Sequence, residues 1–173
     1  MAVVVWIAEG VWQAAIDAAG THAPADREVV LLHVISGDLE EFVHGAFAGL
    51  VGRRNRVPPQ VDRSAVDAED ELLAAAATRL GRPARFDRRR GRVEREVVAA
   101  SADADLLVLS RDGDRSRLGP RSLGPVSRFV VDHAACPLLL VWPGAAPSTS
   151  SLPPPLPTPP PTAPPPHPPG TAP

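Results

Sequence analysis

The sequence predicts an open five-stranded parallel α/β sheet with helices on both faces, followed by a disordered proline-rich tail. Three observations carry that expectation. Short apolar runs alternate with amphipathic stretches over residues 1–143. The runs are apolar throughout rather than every second residue, as strands covered on both faces must be. From Pro143 onward the chain has no Asp, Glu, Lys or Arg, and such a segment cannot bury a core. The expected division is therefore a domain over 1–143 and a tail over 144–173.

Ala2–Ile7 (AVVVWI) is β-branched and reads as the first buried strand. After the turn Ala8-Glu9-Gly10, the alanine-rich stretch Val11–Ala19 reads as a helix closed by Gly20 as C-cap. Val29–Ile35 (VVLLHVI) is a second buried strand. Leu39, Val43, Phe47 and Leu50 stand at helical spacing, and Gly52–Pro59 (GRRNRVPP) breaks that pattern. A long helix follows from about Ser64 to Leu80, with Asp67, Glu69, Asp70 and Glu71 placed to meet the positive end of its dipole and Gly81 ending it. Ala84–Arg88 is a short strand rich in arginine. Val93–Ser101 is helical, with Val93, Val97 and Ala100 on one face. Asp105–Ser110 (DLLVLS) is a buried strand, and Arg111–Ser122 is a polar loop. Leu123, Val126, Phe129, Val130 and Ala134 trace one apolar helix stripe. Pro137–Trp142 (PLLLVW) supplies the fifth strand. In such a sheet ligands bind beyond the carboxyl ends of the strands, where strand order reverses.

Composition narrows the function classes. A net charge of −2 argues against bulk nucleic-acid binding, and a 44% hydrophobic fraction suffices for a core. Every basic residue is arginine. Cys136 stands alone, which excludes an internal disulfide and cysteine-type zinc sites. Met1–Ile7 lacks the basic flank of a signal peptide, and the apolar runs fall far short of the ~20 residues that span a bilayer. The expected location is the cytoplasm.

The segment from Ala104, ADLLVLSRDGDRSRLGPRSLGPVSRFVVDHAACPLLLVWP, resembles the C-terminal signature of the universal stress proteins. There a buried strand leads into a glycine loop of the form Gly-x2-Gly-x9-Gly-Ser, then a helix, then a strand opening with Cys-Pro. Leu31-Leu32-His33-Val34 resembles that family's second strand, and Gly91 also stands where the family has a glycine, so the resemblance covers residues 2–143. It implies a five-stranded parallel sheet, homodimers built partly through the last strand (Pro137, Leu138, Leu139, Leu140, Val141, Trp142), and a role in stress or dormancy responses. Some members bind ATP or related adenine nucleotides and others do not.

In the nucleotide-binding members the loop glycines let backbone N–H groups reach phosphates, with help from the helix dipole. Here Ser110 replaces the first glycine, Gly113 matches the second, ten residues rather than nine precede Gly124, and Pro125 replaces the serine. Gly124-Pro125 makes a good helix start, glycine as N-cap and proline at N1, but it removes an N–H and a hydroxyl from the phosphate side. The N–H groups of Val126 and Ser127 and the Ser127 hydroxyl remain. Arg111, Arg115, Arg117 and Arg121 either offset the loss or form a solvated loop balanced by Asp112 and Asp114. Members that bind adenine usually carry an aspartate after the first strand; Glu9 is the nearest acceptor here, and Val34 offers backbone groups to the base. These departures weigh against ATP binding in the usual manner.

No Gly-x-Ser-x-Gly elbow, Walker A or Gly-x-Gly-x-x-Gly motif occurs, and no general base is apparent for a nucleotide hydrolase. His33 reads as a hydrogen-bonded core histidine, His133 as a partner of its helix dipole. His22, His44 and His167 lack clustered partners for a metal. Cys136 reads as a buried small residue. The basic run Arg88-Arg89-Arg90, with Arg85, Arg92 and Arg95, reads as a solvated edge, since Glu94 and Glu96 interrupt it.

The sequence therefore points to a non-catalytic stress-response regulator. Its ligand is ATP or AMP held weakly by Glu9, Val34, Arg111, Gly113, Arg115, Gly124, Val126 and Ser127, or no nucleotide at all. The alternative is a dimeric scaffold whose proline-rich tail recruits a partner, Pro154-Pro155-Leu156-Pro157 fitting a polyproline-binding module.

Overall fold

A computed structural model describes residues 2–36 and 59–152 of the 173. In chain order the elements are β1 (Ala2–Trp6), α1 (Trp12–His22), β2 (Glu28–Ser36), α2 (Pro59–Leu80), β3 (Arg85–Gly91), α3 (Val93–Ser101), β4 (Ala104–Ser110), α4 (Pro125–His133) and β5 (Leu138–Val141). Short 3-10 turns occupy Pro120–Ser122 and Thr149–Ser151. The five strands form one parallel sheet in the order β3-β2-β1-β4-β5.

The apolar β1 run splits by alternation between two cores. Val3, Val5 and Ile7 pack with Ala15, Ile16 and Ala19 of α1 and Leu73, Ala76 and Leu80 of α2. On the opposite face Val4 and Trp6 pack with Val97 and Ala100 of α3 and Val130 of α4. Covering both faces removes the need for polar residues on either, which explains the unbroken runs in β1, β2 and β4. The fold expectation holds.

Several local expectations change. Gly20 does not cap α1: the helix continues to His22, and the Ala23 N–H closes it on the Ala19 carbonyl. Ala19 is buried against the sheet and Thr21 donates to the Asp17 carbonyl at 2.9 Å, so packing carries the helix past a glycine that propensity alone would use as a stop. The long helix begins at Pro59 rather than near Ser64, so its acidic residues sit mid-helix and do not meet the N-terminal dipole. Two of them meet an arginine instead: Arg88 of β3 lies 3.9 Å from Glu69 and 2.5 Å from Asp70. Gly81 does end α2, at φ +69°. In α4, Val126 and Val130 reach the core as expected. Leu123 and Phe129 instead line a surface groove with Pro125 and Arg128. The stretches Leu39–Leu50 and 52–58 and the tail beyond Leu152 lie outside the described residues.

The arginine-rich strand β3 is a sheet edge neutralised by ion pairs. Arg85 meets Glu28 at 3.4 Å, Arg89 meets Asp87 at 3.0 Å and Glu96 at 3.7 Å, and Arg92 meets Glu94 at 3.0 Å. Arg82 binds the α1–β2 connection, donating to the carbonyls of Pro24 at 3.1 Å and Ala25 at 3.2 Å. Among the described residues, no helix is long and apolar enough to cross a membrane.

One tie joins α1 to α2: Arg79 donates from Nε and Nη2 to the two Asp17 oxygens, both at 2.7 Å. These bonds hold the Asp17 carboxyl below its ordinary value of 3.8. Its contribution to stability is therefore complete above that value and is lost as pH falls through the lower folded one. Urea denaturation across the acid limb is expected to show a shallower loss of stability for Asp17→Asn than for the parent chain. High salt should narrow the difference, since both partners are exposed.

Candidate functional site

Strand order reverses between β1 and β4, so the crevice expected for a ligand lies beyond Trp6 and Ser110. The β1 side of that crevice is fixed by His33. Its Nδ1 lies 3.0 Å from the Ile7 carbonyl oxygen; a carbonyl only accepts, so Nδ1 carries the proton. The Ile7 N–H meanwhile donates to the Leu32 carbonyl at 2.8 Å. These two bonds hold the turn Ala8–Gly10, and Glu9 stands exposed upon it. Val34 lies beyond Leu32, the last β2 partner of β1, and its side chain is buried in the core under α3.

On the β4 side the chain enters the glycine loop. The Arg111 N–H donates to the Val141 carbonyl at 2.9 Å, carrying the β4–β5 ladder one step past the end of β4. The loop then closes on itself. The Gly113 N–H donates to the Ser122 carbonyl at 3.1 Å, and the Asp114 N–H to the Arg121 carbonyl at 2.8 Å. Gly113 is required by that closure, because a Cβ there would press on the Arg121 carbonyl oxygen and lie 2.8 Å from the Ser122 carbonyl carbon. Gly119 turns the chain at φ +129° into the 3-10 turn Pro120–Ser122.

Gly124 is the N-cap of α4 and Pro125 its N1 residue, as the sequence predicts. The Gly124 N–H donates to Asp112 Oδ1 at 2.7 Å. Asp112 thus balances no arginine; its partner is this amide. Asp114 does pair with Arg117, at 3.5 Å, and Ser116 bonds hold its carboxyl below the ordinary range. Arg111 is committed elsewhere: its guanidinium bonds the Ser122 hydroxyl and lies 4.7 Å from the centre of the Trp142 ring. Arg115 is exposed. Arg128, which sequence reasoning passed over, bonds the Pro120 carbonyl and ties α4 back to the 3-10 turn.

Of the eight residues expected at a nucleotide site, Arg111, Gly113, Arg115, Gly124, Val126 and Ser127 belong to this loop and helix start. Glu9 follows the end of β1, and Val34 lies within β2, two residues past its last partner on β1. Val126 packs half-buried against the core. Ser127 is fully buried, and its hydroxyl, like that of Ser110, has no partner among the described residues. Ser122 was missed. Its hydroxyl donates to the Gly119 carbonyl at 2.7 Å and is buried in the loop, and no sequence pattern marks it.

The remaining candidates are structural. His133 Nδ1 lies 2.8 Å from the Phe129 carbonyl oxygen, and its ring stacks on Phe129 at 4.1 Å. Cys136 is half-buried, and burial pushes its thiol above the ordinary value, away from the reactive thiolate. No group of acidic, histidine or cysteine side chains among the described residues is arranged to hold a metal.

A parallel sheet that reverses order between β1 and β4, with a glycine loop opening its last helix, defines a doubly wound α/β protein with a ligand crevice at the switch point. More narrowly, the chain belongs to the universal stress protein family, whose sequence profile matches residues 9–141. Three solved structures share the fold. The hypothetical protein MJ0577 is 18% identical, with 82% of this chain and 95% of that one covered and a TM-score of 0.58. A universal stress protein in complex with cAMP is 19% identical, with 82% and 96% covered and a TM-score of 0.56. A universal stress protein from Archaeoglobus fulgidus is 20% identical, with 81% and 97% covered and a TM-score of 0.53. No curated protein matches the sequence.

Two glycine substitutions are expected to move stability in opposite directions. Gly113→Ala overpacks the loop closure and should cost ~1–3 kcal/mol. Gly20→Ala, inside α1 with nothing within 4 Å of the new Cβ, should gain ~0.5–1 kcal/mol. Urea denaturation midpoints measure both.

Proposed function

We propose that the chain is a non-catalytic stress-response regulator that holds an adenine nucleotide, ATP or AMP, weakly or not at all. One observation carries this reading: the loop's own acceptors take several of the N–H groups that a phosphate would use, and leave only those of Val126 and Ser127 at the helix start. Gly113 and Asp114 bond Ser122 and Arg121, Gly124 bonds Asp112, and position 125 has no N–H. The phosphate end as arranged does not fit a triphosphate, whereas Glu9 and the backbone near Val34 leave acceptors and donors for a base. Capture of cAMP by one universal stress protein of the same fold supports an adenine ligand of low charge over ATP.

The dimer in this reading forms through β5, a sheet edge whose residues Leu138–Val141 are half-buried in the single chain. Titration calorimetry with ATP and AMP is expected to give dissociation constants in the high micromolar range or above, AMP no weaker than ATP. Submicromolar ATP binding would refute the degenerate loop.

A second reading is a dimeric scaffold whose proline-rich tail, residues 144–173 in the sequence division, captures a polyproline-binding partner. It is favoured by the place of the last described residues: the Leu118 N–H of the glycine loop donates to Ser151 Oγ at 3.0 Å. Removing residues 153–173 should leave dimerisation intact and abolish capture by an immobilised polyproline-binding domain. Capture by the truncated chain would count against it.

A further inference from the structure

The residue that matters most at the start of α4 belongs to no motif. Asp112 Oδ1 accepts from the Gly124 N–H at 2.7 Å, and a Cβ on Gly124 would meet Oδ2 at 2.9 Å and the remaining carboxyl atoms at 3.1 Å. Gly124 has φ −66°, a value open to any residue. A side chain at this position would displace the Asp112 carboxylate, which fills the space beside the Gly124 Cα. The position is set by rigid neighbours: Asp112 stands between Arg111, whose N–H continues the β-ladder, and Gly113, whose N–H begins the loop closure. One turn into α4, the fully buried Ser127 hydroxyl is without a partner among the described residues.

A carboxylate and a phosphate ask the same of a protein, namely N–H donors and the positive end of a helix. The two cannot share one position, because like charges side by side repel and the incoming anion must also break a charge-assisted bond. We propose that Asp112 is the chain's own occupant of the anion position at the start of α4, and is the residue that selects against phosphate-bearing ligands. The inference rests on the reading of this loop as a degenerate nucleotide site and deepens it by naming what fills the site. It makes Asp112 a specificity determinant: a neutral nucleoside in the crevice does not meet it, and each phosphate added to the ligand does.

Amide NMR of the full chain tests this with two probes, pyrophosphate and adenosine, at fixed ionic strength. In the parent chain pyrophosphate should leave the Gly124, Val126 and Ser127 amides without saturable shifts at millimolar concentration. Asp112→Ala should bring saturable shifts at those amides, with affinity raised about tenfold or more. Asp112→Asn keeps the shape and the neutral acceptor, and should give an intermediate gain even if the alanine variant folds poorly. Adenosine shifts should be the same in all three proteins. Saturable pyrophosphate binding at those amides in the parent chain, or no gain in folded variants, overturns the proposal. Absence of adenosine binding in every protein removes the adenine reading instead, and leaves the pyrophosphate comparison to decide the role of Asp112.

Discussion

Everything in this domain is hung on β1. It is the central strand of the five, with β2 on one side and β4 on the other. Register fixes both at once, Val5 lying opposite Leu31 and Val108. A one-residue slip would exchange its two buried faces, sending Trp6 toward α1 and Ile7 toward α3. The different sizes of the two sets, valines and an isoleucine against a valine and a tryptophan, set that register. Where β1 ends, the ligand crevice begins, so the core and the site share one determinant.

The loop beyond β4 shows a different balance. Some departures from the family pattern carry a compensation inside the chain, whereas the hydroxyl that Ser110 brings is buried without a partner among the described residues. Proline at N1 costs a donor the helix did not use, the longer loop closes on itself, and Arg111 is held by Ser122 and Trp142. The backbone N–H groups of Gly113, Asp114 and Gly124 are thereby satisfied without a ligand. A loop that spends its donors on its own carbonyls is ordered when empty, and has correspondingly less to gain from an anion.

The fold was legible because its signal is redundant. Buried parallel strands announce themselves as continuous apolar runs, and VVLLHVI or DLLVLS has few other readings. Boundaries were less legible, for reasons that can be named. Gly20 looked like a stop because propensity cannot weigh the burial of Ala19; the acidic residues of α2 looked like an N-terminus because Arg88 of β3, which meets two of them, is distant in sequence. The loop was half legible. Gly124-Pro125 read correctly as a helix start, but the partner of Asp112 could not be foreseen, since charge pattern suggested an arginine and the answer was a backbone amide twelve residues away. Ser122 carried no signal at all.

The bond between Leu118 and Ser151 has a mechanical meaning as well. Ser151 is stitched to the loop ten residues past the end of β5, and its hydroxyl also donates to the Ser148 carbonyl. Tension applied to the chain beyond Leu152 therefore loads this stitch before it loads the sheet. A single neutral hydrogen bond contributes only ~1 kcal/mol, far less than the cooperative ladder of β4 and β5. It behaves as a fuse: while it holds, the pull goes to the rim of the glycine loop, and only after it parts does the load run along the chain to β5.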